Sequence, residues 1–313
     1  MATPIIIDCD PGIDDSVSIL LALASPEVEV LGISVVCGNI PLERTIDNAL
    51  KVCELAGRPD IAVYGGAARP LIREPLYGEF SGETGLGSVN LPTSSHKVEA
   101  QHAVDFLVSR LLAAAKSGQR ITLCTQGPLT NVALALRHTP AIANGIERIV
   151  MMGGAYRESG NRTMAAEFNI LADPHAAHIV LSSAVPIVAL PLDATFQAIA
   201  TPERVARIRS IGNPVSGIVA DLLTFWDRKD VARYGSLGGP LHDPLVIAYV
   251  LRPDLFKSQR ARVFVEYESK IALGQTIADW WNKSGEAANV DIVGEVNADG
   301  FFDLLCERLA RYP

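Results

Sequence analysis

The 313-residue chain is predicted to be an α/β protein: an open, mostly parallel sheet flanked by helices, with extra strands and helices towards its C-terminal end. Three observations predict it. Short β-branched or apolar runs recur from Ile5 to Leu190, and segments of helical periodicity lie between them. Alternation at this spacing implies parallel strands joined by right-handed crossovers. Beyond a mostly helical stretch at 201–251, strand-like runs follow one another more closely. No repeat, low-complexity tract or linker breaks the pattern, so a single domain over residues 1–313 is expected.

Ile5-Ile6-Ile7 is a β-branched run ending at Asp8 and reads as a buried strand. Asp14 or Asp15 is expected to cap the next helix, which runs to about Leu23 and is closed by Ser25-Pro26. Residues 28–36 form the second strand. Pro41 opens a helix with Leu42, Ile46, Ala49 and Cys53 on one face and Gly57 as its stop. Residues 61–64 are the third strand. Residues 69–98 are rich in Gly, Pro and Ser and weakly periodic, the signature of a functional or mobile loop. A helix at 99–116, a strand at 121–125, a helix at 129–137 and strands at 146–152 and 186–190 continue the alternation. Strands at 262–268, 275–280 and 290–296 and a helix at 299–308 complete it, with Trp280-Trp281 in a strand and one of the two rings in the core.

Lys and Arg number 27 and Asp and Glu 35, a net charge of −8. A nucleic-acid partner needs a basic surface and an anionic membrane attracts one, so neither is expected. No apolar run reaches the ~18–20 residues of a membrane span. The best candidate, 16–36, is broken by Pro26, Glu27 and Glu29. The start, Met1-Ala2-Thr3-Pro4, has no basic region typical of a secretion signal, so a cytoplasmic location is expected. Cys9, Cys37, Cys53, Cys124 and Cys306 are too far apart to suggest a thiolate zinc site or a disulfide framework.

The negative charge is concentrated. Asp8, Asp10, Asp14, Asp15, Glu27, Glu29 and Glu43 precede the first basic residue, Arg44. Four of these fall in Asp8-Cys9-Asp10-Pro11-Gly12-Ile13-Asp14-Asp15, at the carboxyl end of the first strand, where open α/β sheets bind ligands. Two such charges ~4 Å apart repel by about 4 kcal/mol at an effective dielectric of 20. A helix N-terminus returns only ~0.3–1 kcal/mol to each nearby carboxylate. Distant bases, protonation or a bound cation must supply the rest, and hard oxygen ligands favour Ca²⁺ or Mg²⁺. Taken singly, Asp8 reads as a solvated strand end. Asp243 and Pro244 read as the cap and first residue of a helix, and His242 as a buried structural histidine. Glu167 and Asn169 share a face if their stretch is extended, and Asp173-Pro174 opens the next helix.

Six strings together resemble the inosine-uridine preferring nucleoside hydrolase family. They are IIIDCDPGIDD at 5–15, Cys37-Gly38-Asn39, Gly127-Pro128-Leu129-Thr130-Asn131, Met151-Met152-Gly153-Gly154, Ala166-Glu167-Phe168-Asn169 and Leu241-His242-Asp243-Pro244. The resemblance covers nearly the whole chain. It implies a Rossmann-like nucleoside hydrolase fold and hydrolysis of ribonucleosides to ribose and free base. Matched residue by residue, it gives Asp10, Asp15 and Asp243 as Ca²⁺ ligands, with the backbone carbonyl of Gln126 where relatives commonly carry Thr. Asp10 would also be the general base for a water on that ion. Asp14, Asn39, Asn161, Glu167 and Asn169 would hold the ribose hydroxyls, Met152 would pack near the sugar, and His242 would serve the leaving base. Ser81 stands where many relatives have His, which bears on base preference. Phe225, Trp226 and Tyr234 lie where relatives place aromatic base contacts, alongside ordinary core or surface roles for each. Relatives are usually homodimers or homotetramers.

Two rivals explain less. An apolar run followed by D-x-D also opens Mg²⁺-dependent phosphatases of the haloacid dehalogenase type, which leaves the Gly38-Asn39, Glu167-Phe168-Asn169 and Leu241–Pro244 strings unexplained. A non-catalytic nucleoside-binding protein accommodates Ser81, but has no use for a base beside a cation-held water.

Overall fold

The computed structural model describes residues 2–78, 82–225 and 238–313. Its centre is a nine-stranded sheet in the order β3-β2-β1-β4-β5-β6-β9-β7-β8 among the described residues. The strands are β1 (Thr3–Cys9), β2 (Val28–Val35), β3 (Val63–Gly65), β4 (Ile121–Thr125), β5 (Ile146–Met152), β6 (Ile187–Leu190), β7 (Phe256–Val265), β8 (Thr276–Asp279) and β9 (Val290–Val296). The six strands from β3 to β6 are parallel, and β9 joins β6 in parallel. Only β7 and β8 run antiparallel to their neighbours.

The central strands are buried on both faces, which is why β1 reads as a continuous apolar run rather than as alternation. Ile5, Ile7 and Cys9 point into one core layer, with Val17, Leu20 and Val35. Ile6 points into the other, with Leu107, Leu123 and Val132. The first layer is completed by α1 (Ile13–Leu23), α2 (Leu42–Leu55), α9 (Pro214–Thr224), α10 (Pro244–Leu251) and α11 (Ala298–Leu309). The second is completed by α3 (Ala103–Ser117), α4 (Thr130–His138) and α6 (Pro174–Leu181). Short helices α5 (Phe168–Ala172), α7 (Leu192–Thr195) and α8 (Pro202–Arg209) fill the connections. All five cysteines are buried thiols. No helix among the described residues is long and apolar enough to cross a membrane.

Several local expectations need correction. Gly12, not Asp14 or Asp15, is the N-cap of α1, and Asp15 at the third helical position reaches back to the Gly12 N–H. The stretch with Glu167 and Asn169 is a helix start rather than extended chain: Glu167 caps α5 and accepts from the N–H groups of Asn169 and Ile170. Asp173 does cap α6. The helix expected from residue 99 starts at Ala103, with His102 as its cap. The strand expected at 262–268 begins at Phe256; its polar, exposed first half, Lys257 to Arg260, conceals the pairing with β9. Trp280 and Trp281 follow β8 in a turn. Trp280 packs edge-on to Tyr156 beneath Arg157, and Trp281 is exposed.

Candidate active site

Strand order reverses between β1 and β4. From β1 the chain steps outward to β2 and β3, then returns to the other side of β1 for β4. Loops leaving the two strands diverge there and open a crevice. Residues 10–12 enter it from β1, Gly38 and Asn39 from β2, Gln126 and Gly127 from β4 and Met152 from β5. His242 and Asp243 come from the far side, just ahead of α10.

The carboxylate oxygens of Asp14, Asp15 and Asp243 lie within 4.8 Å of one another. Asp10, Asp15 and Asp243 are buried, and Asp14 is half-buried. Burial, then the charge of Asp14, pushes the Asp15 carboxyl up to about 7, against the pull of the Gly12 and Asp10 N–H groups. Burial and the charge of Asp15 hold Asp10 well above the usual carboxylate range. Asp243 is raised by burial and by Asp14, Asp15 and Asp10. Hydrogen bonds relieve only part of this. The Gly12 N–H donates to Asp15 Oδ2 at 3.0 Å and the Asp10 N–H to Asp15 Oδ1 at 3.2 Å. Asn39 donates its backbone N–H to Asp10 Oδ2 at 2.6 Å and its amide to Asp15 Oδ2 at 3.3 Å. Asp10 Oδ1 is buried without a partner among the described residues. Asp243 makes no capping bond to α10, so its carboxylate serves the cluster and not the helix.

This donor set fits a hard divalent cation: several raised carboxylates, one orphaned carboxylate oxygen, and a backbone carbonyl with lone-pair capacity to spare. The carbonyl is that of Gln126, which accepts the Asn169 amide at 2.9 Å. The three mutually closest carboxylates include Asp14, expected as a ribose partner, rather than Asp10. Asp10 is held against the β2 loop by Asn39 instead. Gly38 and Gly127 enclose it, since a Cβ at either position would collide with its carboxylate.

Below the cluster lies a polar hub. Asp8 is fully buried, not a solvated strand end. Burial raises its carboxyl to about 6, opposed by bonds from Ser34 and Asn131. Asn131 of α4 donates to Asp8 Oδ2 at 3.0 Å, Ser34 Oγ at 3.1 Å and the Val35 carbonyl at 3.1 Å, and accepts from the Ala67 N–H at 2.8 Å. One side chain therefore ties together β1, β2 and the loop after β3. Asn131→Ala is expected to destabilise the protein by about 2–4 kcal/mol in urea unfolding, because it strands several buried polar groups at once. A second relay runs from Gln126 Nε2 to Ser18 Oγ at 2.7 Å and from Ser18 Oγ to the Asp243 carbonyl at 3.2 Å. Sequence reasoning missed both Ser18 and the hub. The signal for Ser18 was a serine one turn after Asp14 and Asp15, on their face of α1.

The residues expected at the ribose are held by bonds of their own. Asn169 donates to Gln126 O, Met152 O and Met152 Sδ. The Glu167 carboxylate accepts from Gly154, Asn169 and Ile170 N–H groups, and burial still pushes it up to about 7. Asn161 turns back onto its own loop, accepting from the Phe168 N–H at 3.0 Å. His242 is half-buried beside Asp243, with Nδ1 2.7 Å from Thr195 Oγ1. Phe225 ends α9, half-buried against the loop at Gly82 and Gly87. Ser81, Trp226 and Tyr234 lie outside the described residues.

A family model described as inosine-uridine preferring nucleoside hydrolase matches residues 5–303. The pyrimidine-specific ribonucleoside hydrolase RihA of Salmonella gallinarum is 44% identical over 315 aligned residues, covering 100% of both chains. Among solved structures, a purine-preferring ribonucleoside hydrolase from Gardnerella vaginalis is similar with a TM-score of 0.90 and 30% identity, covering 98% of each chain. A plant nucleoside hydrolase, PpNRh1, has a TM-score of 0.91 and 29% identity over 99% of each chain.

Proposed function

The chain belongs to the inosine-uridine preferring nucleoside hydrolase family and hydrolyses N-glycosidic bonds of ribonucleosides; on that premise we propose a calcium-dependent reaction in which Asp10 is the general base. The observation that carries the proposal is Asp10 Oδ1, a buried carboxylate oxygen without a partner among the described residues, beside three clustered acids. Asp10, Asp15, Asp243 and the Gln126 carbonyl would hold the cation, which when bound lowers the pKa of a water and fixes its position.

The chain's own groups do the rest. Asp10 accepts the proton of the attacking water. Asp14, Asn39, Asn161, Glu167 and Asn169 hold the ribose hydroxyls, and Met152 packs near the sugar. As the bond to the base breaks, positive charge grows on the sugar, and the fixed carboxylates stabilise it without reorganising. Attack from one face inverts C1′, as in inverting glycosidases. His242 delivers a proton to the departing base. The same reading carries a single domain, a homodimer or homotetramer and a cytoplasmic location.

The test is release of reducing sugar from uridine, cytidine, inosine, adenosine and guanosine, with and without a calcium chelator. Cleavage lost on chelation and restored by Ca²⁺ supports the proposal. If calcium-loaded protein cleaves no ribonucleoside, it acts as a binder and the catalytic reading fails. The 44% identity to pyrimidine-specific relatives over the whole chain supports uridine and cytidine as the better substrates. Deoxyuridine is expected to react at least ~10²-fold less efficiently than uridine, because a missing hydroxyl leaves buried polar groups unpaired. Similar kcat/KM values for the two would remove the ribose set from the mechanism.

A further inference from the structure

Helix α7 is one turn long, yet it touches both halves of the site. On one side Asp193 accepts from the N–H groups of Tyr156 at 2.9 Å and Arg157 at 2.7 Å, fixing the chain that leads from β5 to Asn161 and Glu167. On the other, Thr195 Oγ1 meets His242 Nδ1 at 2.7 Å. Backbone bonds hold the same two segments together: Leu241 N–H to the Ala198 carbonyl and Ala200 N–H to the Gly239 carbonyl, both at 2.9 Å. Ser18 pins the next residue through the Asp243 carbonyl. The imidazole is thus registered to α7 at Nδ1, while the chain just before it is paired with the chain just after α7.

Thr195 is fully buried, with Leu192 and Ala194 as buried neighbours on the same turn. Valine has the same shape and would avoid the cost of desolvating a hydroxyl. That cost is offset here by the bond to His242.

We propose that Thr195 is the positioning residue for His242, fixing the ring so that Nε2 is the nitrogen that serves the leaving base. This rests on the reading of His242 as the leaving-group acid. A hydroxyl can accept the Nδ1–H both before and after the step. When the Nε2–H bond breaks, the proton joins the base nitrogen, which keeps the electron pair of the broken C1′–N bond. A neutral imidazole remains, still carrying Nδ1–H on Thr195. For the next turnover Nε2 takes back a proton from solvent, and no exchange of tautomer is needed.

The experiment compares Thr195→Val, Thr195→Ser, His242→Ala and the Val/Ala double variant on uridine and on a nitrophenyl riboside, whose leaving group departs without protonation. Thr195→Val is expected to lower kcat on uridine ~10-fold or more while changing KM less than about twofold. Cleavage of the aryl riboside falls far less, Thr195→Ser restores uridine turnover, and Thr195→Val adds nothing in the His242→Ala background. Equal losses on both substrates, or a further loss in the His242→Ala background, overturn the proposal. If His242→Ala slows uridine cleavage but Thr195→Val does not, the proposal alone fails. If His242→Ala leaves uridine turnover unchanged, the acid reading of His242 fails and takes the proposal with it. Thr195→Ala deletes the hydroxyl again should the valine variant not fold.

Discussion

Asp10→Asn is expected to keep the fold and to lower turnover on ribonucleosides by about 10²–10⁴-fold, the range of a lost general base. The fold survives because the substitution preserves shape, and the Asn39 N–H, which donates to Oδ2, still finds an amide oxygen there. That bond orients the new side chain and puts its NH₂ where Oδ1 stood. Oδ1 is the buried oxygen without a partner among the described residues. The amide therefore removes the proposed proton acceptor and turns two N–H bonds towards the proposed cation. Calcium affinity should weaken along with turnover. The metal-free variant should be at least as stable as the parent, because one of several mutually repelling buried carboxylates is gone. Turnover within about threefold of the parent, far below the loss expected for a general base, would take Asp10 out of the mechanism. A large fall in Tm would show instead that its charge holds the loop together.

The sheet was legible because its central strands are buried on both faces, leaving runs such as Ile5-Ile6-Ile7 and 146–152 that no amphipathic helix resembles. The acid cluster was legible because four carboxylates sit within eight residues ahead of any base. What escaped was of two kinds. The first is local geometry set by long-range partners. Glu167 reads as one of an extended pair until the Gly154 N–H and the start of α5 converge on its carboxylate. The polar half of β7 looks like loop until β9 pairs with it. The second is polar residues whose partners lie far along the chain. Asn131 meets Asp8 across 123 residues, Gln126 meets Ser18 across 108, and Thr195 meets His242 across 47. Neither hydropathy nor spacing carries that information. All of these side chains but the half-buried His242 are fully buried and polar, and each would be costly if left unbonded.

Removing the proposed calcium ion should make stability depend on pH in a direction opposite to that of ordinary salt-bridged carboxylates. Burial raises Asp8 to about 6, Asp15 to about 7 and Glu167 to about 7, and raises Asp10 and Asp243 as well. In the unfolded chain these groups titrate near ~4. Between about pH 4 and 7 the folded state therefore binds more protons than the unfolded state, and stability falls as pH rises. Each group still protonated in the fold but not in the unfolded chain costs about 1.4 kcal/mol per pH unit. Below about pH 4 both states are protonated and the loss disappears. A cation binds the ionised carboxylates, so its affinity grows over the same range and offsets the loss. The chelated protein should thus show a lower Tm at pH 8 than at pH 5, and the rise in Tm on adding Ca²⁺ should be larger at pH 8. Asp10→Asn should shrink that rise. Glu167→Gln should lessen the pH dependence of the chelated protein and leave the calcium-induced rise in place, since Glu167 titrates in the same range but stands outside the proposed ligand set. Equal calcium-induced shifts at both pH values would mean that the acid cluster is not where the ion binds.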